Sequence, residues 1–297
     1  MDLKRLQFLV RVIDTGSITR AATSLRIAQP ALSQHIQALE RSVGTRLLVR
    51  GKDGVTPTPA GGIAYRHAKT LARQLDRART EVRTLGTRPT GRVTVGMSPH
   101  SQARQLIQPL LMAASAAYPE ILLHVSENFE GVLAEDLRLG LMDMALLYQM
   151  TPRPGFRSEA VLTEELCLVG RRGLPGLVSA GLTEAVPLLL PSTAHVLRQL
   201  VEAVYSRRRV RPRIVAEIES FETLAAAVVE GLGATVLPRS VAASFAEPDL
   251  ALRRFGTPPT RITLWLVTPA DETERSEAAR AIHRLLARLV AGNGLPT

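Results

Sequence analysis

From Thr58 to Leu85 seven apolar residues recur in alternating steps of four and three: Ala64, Ala68, Leu71, Leu75, Ala78, Val82 and Leu85. Thr58-Pro59 supplies an N-cap and a first helical residue, and the stretch is not broken until Gly86. Three heptads of this kind make a coiled-coil seam. At 1.5 Å per residue the helix is about 40 Å long, too extended to bury its stripe within itself. The chain must therefore divide into a head before this helix and a body after it. The stripe needs a partner, either the chain's own body or a second copy.

The head contains GSITRAATSL, then RIAQPALSQHIQALE, then TRLLVRGKDGVTPTPAG. The pattern predicts two short helices, a longer helix and a small β-wing. Ser17 caps a helix running to Leu25, Arg26 to Ala28 form a tight connection, and Pro30 suits the first turn of the next helix. This is a helix-turn-helix, at about residues 18–37. Leu32, Ile36 and Leu39 face inward at i, i+4, i+7, leaving Gln29, Pro30, Ser33, Gln34 and Gln37 for the outside. Short, uncharged, hydrogen-bonding side chains on one helix face suit base edges in a major groove. Asp53-Gly54 between Leu47–Arg50 and Val55–Pro57 is a hairpin signal, and it puts Arg50 and Lys52 at the wing, within reach of phosphates or a minor groove.

Charge follows the same division. Residues 1–89 carry 16 Lys+Arg against 6 Asp+Glu, so the remaining 21 and 21 leave residues 90–297 neutral. A basic head on a neutral body is expected where only the head meets a polyanion. The first residues, MDLKRLQFLV, do not form a leader, and no apolar run reaches a membrane span, so the expected location is the cytoplasm, with no membrane partner. Cys167, the only cysteine, lies in LCLVG and is expected to be a small buried hydrophobe. The six histidines have no metal-ligand spacing. There is no GxSxG, HExxH or GxxxxGK[ST], and GLGATV lacks the third glycine of a dinucleotide fingerprint. No catalytic residues, metal or cofactor are expected.

After a hinge at TRPTG (residues 87–91), short apolar runs alternate with helical ones: RVTVG, a helix to Ala117, ILLHV, a helix to Leu141, DMALLY, then ELCLVG, LLLP, RIVAEI, ATVLP and ITLWLV. The alternation predicts an α/β body of βαβ units and parallel sheets.

The helix-turn-helix and wing resemble those of the LysR-type transcriptional regulators. Within that family the chain looks closest to the nitrogen assimilation control branch, through LLVRGKDGVTPTPAG, YPEILLHVSEN, LMDMALLY and AEIESFETLAAAVVEGLGATVLP. Two residues depart from the pattern: Leu48 replaces a usual Phe, and Ala28 replaces the Ser or Thr that often caps the recognition helix. The resemblance implies a winged helix-turn-helix over residues 1–58, a dimerising linker helix over 59–86, and a regulatory domain over 92–297. It also implies that this domain is two α/β subdomains resembling type 2 periplasmic binding proteins, about 92–164 with 269–297, and about 165–268. They would be joined by crossing strands near Glu165 to Gly170 and Arg261 to Thr268.

The expected ligand cleft lies between these subdomains. Three helix starts should converge there, with Ser98, His100, Ser101 and Gln102 at one, Ser192 and Thr193 at another, and Ser220 at the third. Hydroxyls beside free helix N–H groups suit a small organic anion, typically a carboxylate. Phe129 is expected to be a packed aromatic and His195 a satisfied histidine. The function expected is a sequence-specific regulator that binds double-stranded DNA at a two-fold promoter site. It would act as a homodimer or dimer of dimers, activating or repressing, controlled by a small anionic effector or by its own abundance, with RNA polymerase as a further partner. Two competing readings remain: a small-molecule-binding protein whose helical head is a docking module, and a structural nucleoid protein.

Overall fold

The computed structural model describes residues 2–51, 54–83, 88–148, 154–177, 185–245, 247–271 and 275–292. They fall into two compact units, the head with its helix and the body.

In the head, α1 (Leu3–Thr15) is capped by Asp2 and ends at Gly16 in the left-handed region. Helix α2 (Ile18–Leu25) is capped by Ser17, whose hydroxyl accepts from the Arg20 amide. Arg26, at φ +55°, turns the chain into α3 (Gln29–Val43). Ala28 gives α3 no side-chain cap, and Pro30 in the first turn removes one of the amides that would have needed one. Leu9, Val12, Ala21, Leu32, Ile36 and Leu39 are fully buried and form a separate head core. Burial of one such leucine is worth roughly 1.5–3 kcal/mol, so these few side chains supply most of what holds three short helices together.

The wing is a hairpin of β1 (Leu48–Gly51) and β2 (Gly54–Pro57), with Arg50 opposite Val55. Glu40 of α3 accepts from the Leu47 and Leu48 amides, which ties the wing to the recognition helix. Gly54, at φ +118°, passes so close to the α1–α2 junction that a Cβ there would stand 2.6 Å from the Gly16 carbonyl.

Helix α4 (Pro59–Arg83) opens under Thr58, whose hydroxyl accepts from the Gly61 amide and donates to the Arg46 carbonyl. Ala68 of the seam is buried in the head core. Farther along, Leu75 is half-buried, Leu71 is 42 % exposed and Val82 is 80 % exposed. Leu85 lies outside the described residues. The seam is thus used by the head at its start and bare at its end.

The body is a mixed sheet rather than the parallel one that alternation predicted. Strands β3 (Gly91–Met97), β4 (Ile121–Glu127) and β5 (Met144–Tyr148) are parallel, β3 lying between the other two. The rest of this sheet is antiparallel. Strand β11 (Arg261–Pro269) lies between β5 and β6 (Phe156–Arg171) and runs against both. Strands β9 (Thr235–Pro238) and β10 (Leu250–Arg254) also run against β6. Antiparallel pairing needs no crossover helix, so helix–strand alternation is blind to it. A second small sheet pairs β7 (Pro187–Leu190) with β8 (Arg213–Glu217) in parallel.

Strand β6 is 16 residues long and serves two neighbourhoods. Its residues up to Glu165 pair with β11, and from Leu166 onward it pairs with β9 and β10. Strand β11 pairs with β5 and with the first part of β6, so the chain is back in the first neighbourhood along Arg261–Pro269. Helices α5 (Ala103–Ala117), α6 (Glu130–Arg138) and α10 (Glu277–Gly292) accompany the first neighbourhood, and α7 (Val196–Arg207), α8 (Phe221–Val229) and α9 (Arg239–Ala243) the second. The second helix of the body ends at Arg138, three residues short of the expected Leu141. Cys167 is buried in β6.

Candidate DNA-reading face and ligand cleft

On α3 the inward face is closed by Leu32, Ile36 and Leu39, all fully buried. Gln29, Pro30, Gln34 and Gln37 are exposed, and Ser33 is half-buried. The Gln29 amide donates to the Ser33 hydroxyl at 3.1 Å, so these two form one hydrogen-bonding unit, whereas Gln34 and Gln37 project separately. His35 is taken up by a ring contact with Phe8, 5.0 Å between centroids. Arg50 is exposed on β1. Lys52 lies outside the described residues.

The body holds a second constellation. Ser98, His100, Ser101 and Gln102 before α5 are all buried. The Ser98 hydroxyl accepts from the Tyr148 amide at 3.3 Å, and Ser101 donates to the Ser98 carbonyl at 2.6 Å. Ser220 is exposed and caps α8 through the Thr223 amide. Ser192 and Thr193 do not begin a helix: α7 starts at Val196, with His195 in the capping position. The Ser192 amide donates to Glu219, and the Thr193 carbonyl accepts from Gln199. Three of the predicted hydroxyls are thus already engaged in holding loops and caps.

Rings, rather than hydroxyls, bring the three segments together. His100 lies 5.2 Å from His195 and 5.8 Å from Phe221, the first residue of α8. Phe129 meets His195 edge-on at 5.2 Å. Arg104 stands over Phe221 and pairs with Glu222 at 3.0 Å. His195 is not a satisfied histidine: both ring nitrogens of His100 and of His195 are buried without a hydrogen-bond partner. Burial, then the neighbouring His195 and Arg104, pushes the His100 pKa down to about 4, and burial also lowers that of His195. Both rings are neutral near pH 7, and each offers one donor and one acceptor. The Gln102 side-chain carbonyl oxygen is also buried without a hydrogen-bond partner. Leaving such groups unpaired costs about 1–3 kcal/mol each, which a ligand would recover. Tyr148, Phe221 and Arg104 escaped sequence reasoning because nothing local distinguishes them from core and surface residues. Among the described residues no group of three or more His, Cys, Asp or Glu is placed to hold a metal ion.

Family comparison joins the two sites. Residues 3–62 match the bacterial regulatory helix-turn-helix protein, lysR family, and residues 86–291 match the LysR substrate binding domain. The chain belongs to the LysR family of transcriptional regulators. It is 39 % identical over 293 residues to the nitrogen assimilation regulatory protein nac of Escherichia coli K12, covering 98 % of this chain and 96 % of that one. Its fold matches that of ArgP from Mycobacterium tuberculosis with a TM-score of 0.71 at 24 % identity, covering 98 % of both chains. It also matches full-length CbnR complexed with its target DNA, with a TM-score of 0.71 at 21 % identity over 97 % of this chain and all of that one. This LysR-type regulator therefore carries a DNA-binding head and an effector-type body on one chain. No helix among its described residues is long and apolar enough to cross a membrane.

Proposed function

We propose that this regulator recognises a two-fold operator in promoters of nitrogen metabolism, acting as a homodimer or dimer of dimers in the cytoplasm and doing no catalysis of its own. The observation that carries this is the face of α3, where amide and hydroxyl side chains stand opposite three fully buried anchors. Gln29, Pro30, Ser33, Gln34 and Gln37 meet base edges, and Arg50 and Lys52 meet phosphates beside them. The bare end of the α4 seam supports pairing with a second copy, which would space two recognition helices about one DNA turn apart. A gel shift on the regulator's own upstream region, competed with random DNA, tests the reading. Retarded complexes that resist competitor support it, and complexes removed equally by both DNAs refute it. RNA polymerase would be met at the promoter in the activating mode.

The cleft in the body would take a small organic anion. Neutral His100 and His195 offer N–H groups to it at the start of α5, and Ser98, Ser101, Gln102, Ser192, Thr193 and Ser220 shape the surrounding loops. Protonation of His100 would strengthen such a complex, so affinity should rise as pH falls towards about 4.

A further inference from the structure

The neutrality of the body conceals a segregated charge. Residues 91–297 hold 21 basic and 21 acidic side chains, and five of the basic ones stand within seven positions: Arg207, Arg208, Arg209, Arg211 and Arg213. Outside that run the body has 16 basic against 21 acidic residues. All five arginines are exposed. Among the described residues none has a carboxylate within ion-pair distance. The acids on the adjoining elements, Glu202 of α7 and Glu217 of β8, are both bound by the buried Arg198.

The backbone that carries the run is held firmly. The amides of Arg208 and Val210 donate to the Tyr205 carbonyl, that of Arg209 donates to the Ser206 carbonyl, and Val210 packs against the core. The Arg208 guanidinium donates to the Thr257 carbonyl at 2.5 Å. Arg209 sits at φ +56°, turning the chain so that Pro212 can lead into β8. Arg213 opens β8, two residues after Arg211. The dipole at the end of α7 accounts for a base or two in its last turn, but its influence fades within that turn and does not reach Arg211 or Arg213.

We propose that the Arg207–Arg213 run is a second DNA contact, which grips phosphates flanking the operator while the head reads bases. Guanidinium forks suit phosphate oxygens, and a rigid loop loses little freedom on binding. DNA is favoured over an acidic protein because the partner of this regulator's family is already a polyanion, and five exposed guanidiniums with no carboxylate in ion-pair distance among the described residues match its phosphates.

The test compares two full-length double variants of equal charge change, Arg211→Ala with Arg213→Ala, and Arg284→Ala with Arg288→Ala on the exposed side of α10. Each is titrated by fluorescence anisotropy against a random-sequence duplex several helical turns long, over a range of KCl concentrations. The log-affinity against log-salt slope should flatten in the first pair by about 2 for each bound protomer, at about 0.9 for each lost phosphate contact. It should keep its wild-type value in the second pair and in Arg211→Lys with Arg213→Lys. Equal slopes in the two alanine pairs would overturn the proposal. So would a wild-type slope in the first pair accompanied by lost binding to purified RNA polymerase, which would assign the patch to a protein partner. Trp265 fluorescence on heating verifies that both pairs remain folded.

Discussion

Acidification should weaken the body through His100, and the size of the effect follows from its burial. Its folded pKa is about 4 against an ordinary 6.5. Between those values the unfolded chain binds a proton that the folded chain refuses, so stability is full above pH 6.5 and is lost as pH falls towards 4. At 1.36 kcal/mol for each unit, the whole window is worth about 3 kcal/mol, of which about 2 kcal/mol is lost between roughly pH 7 and pH 5. The informative variant is His100→Asn, because position 100 sits at φ +53° and asparagine tolerates that region far better than a branched residue. Urea unfolding followed by the single Trp265, on β11, reports the body alone. The wild type should lose about 2 kcal/mol more than His100→Asn on going from pH 7 to pH 5. His195, lowered in the same direction, leaves the variant a residual slope. Parallel losses in the two proteins would show that His100 is not held neutral by burial, and the reading of the cleft would fail with it.

Gln34→Ala should cost roughly 1–3 kcal/mol on the operator while leaving affinity for random duplex nearly unchanged, measured by competition gel shift. Ser33→Ala should cost less, since it frees Gln29 from the hydrogen bond the two share. Replacing Leu71 and Leu75 together by Glu should place like charges in the seam and give monomers by light scattering, with operator binding lost. The wild-type mass in that variant would mean that the seam packs within one chain. In a melting screen of organic acids, amino acids and inorganic anions, an anionic ligand of the cleft should raise the melting temperature more at about pH 4.5 than at pH 8, since only there does His100 begin to take up its proton. A hit unaffected by His195→Phe would place its site elsewhere.

The head was legible because its determinants are local. Caps at Ser17 and Thr58, the 3.6-residue spacing of Leu32, Ile36 and Leu39, and a turn between Arg50 and Val55 each act within a few residues. Most strands of the body were legible, though β10 and the first part of β6 were not, and how the strands pair was not legible either. A parallel sheet was inferred from alternation, whereas the position of β11 between β5 and β6 is decided by contacts about a hundred residues apart. The cleft shows the same limit. The segments before α5, α7 and α8 were identified from their polar residues, yet those hydroxyls are largely occupied with their own loops. The groups left without partners, His100 and His195, come together only through tertiary packing.

Sequence-specific reading of promoters by α3 is tested most directly by genome-wide mapping of bound sites in the native host, with wild type and Gln34→Ala compared in parallel. The wild type should occupy a discrete set of promoter-upstream sites sharing a two-fold motif, enriched at genes of nitrogen metabolism, and Gln34→Ala should lose those sites while keeping its background. Even occupancy of the chromosome with no shared motif, or unchanged sites in Gln34→Ala, would contradict the account.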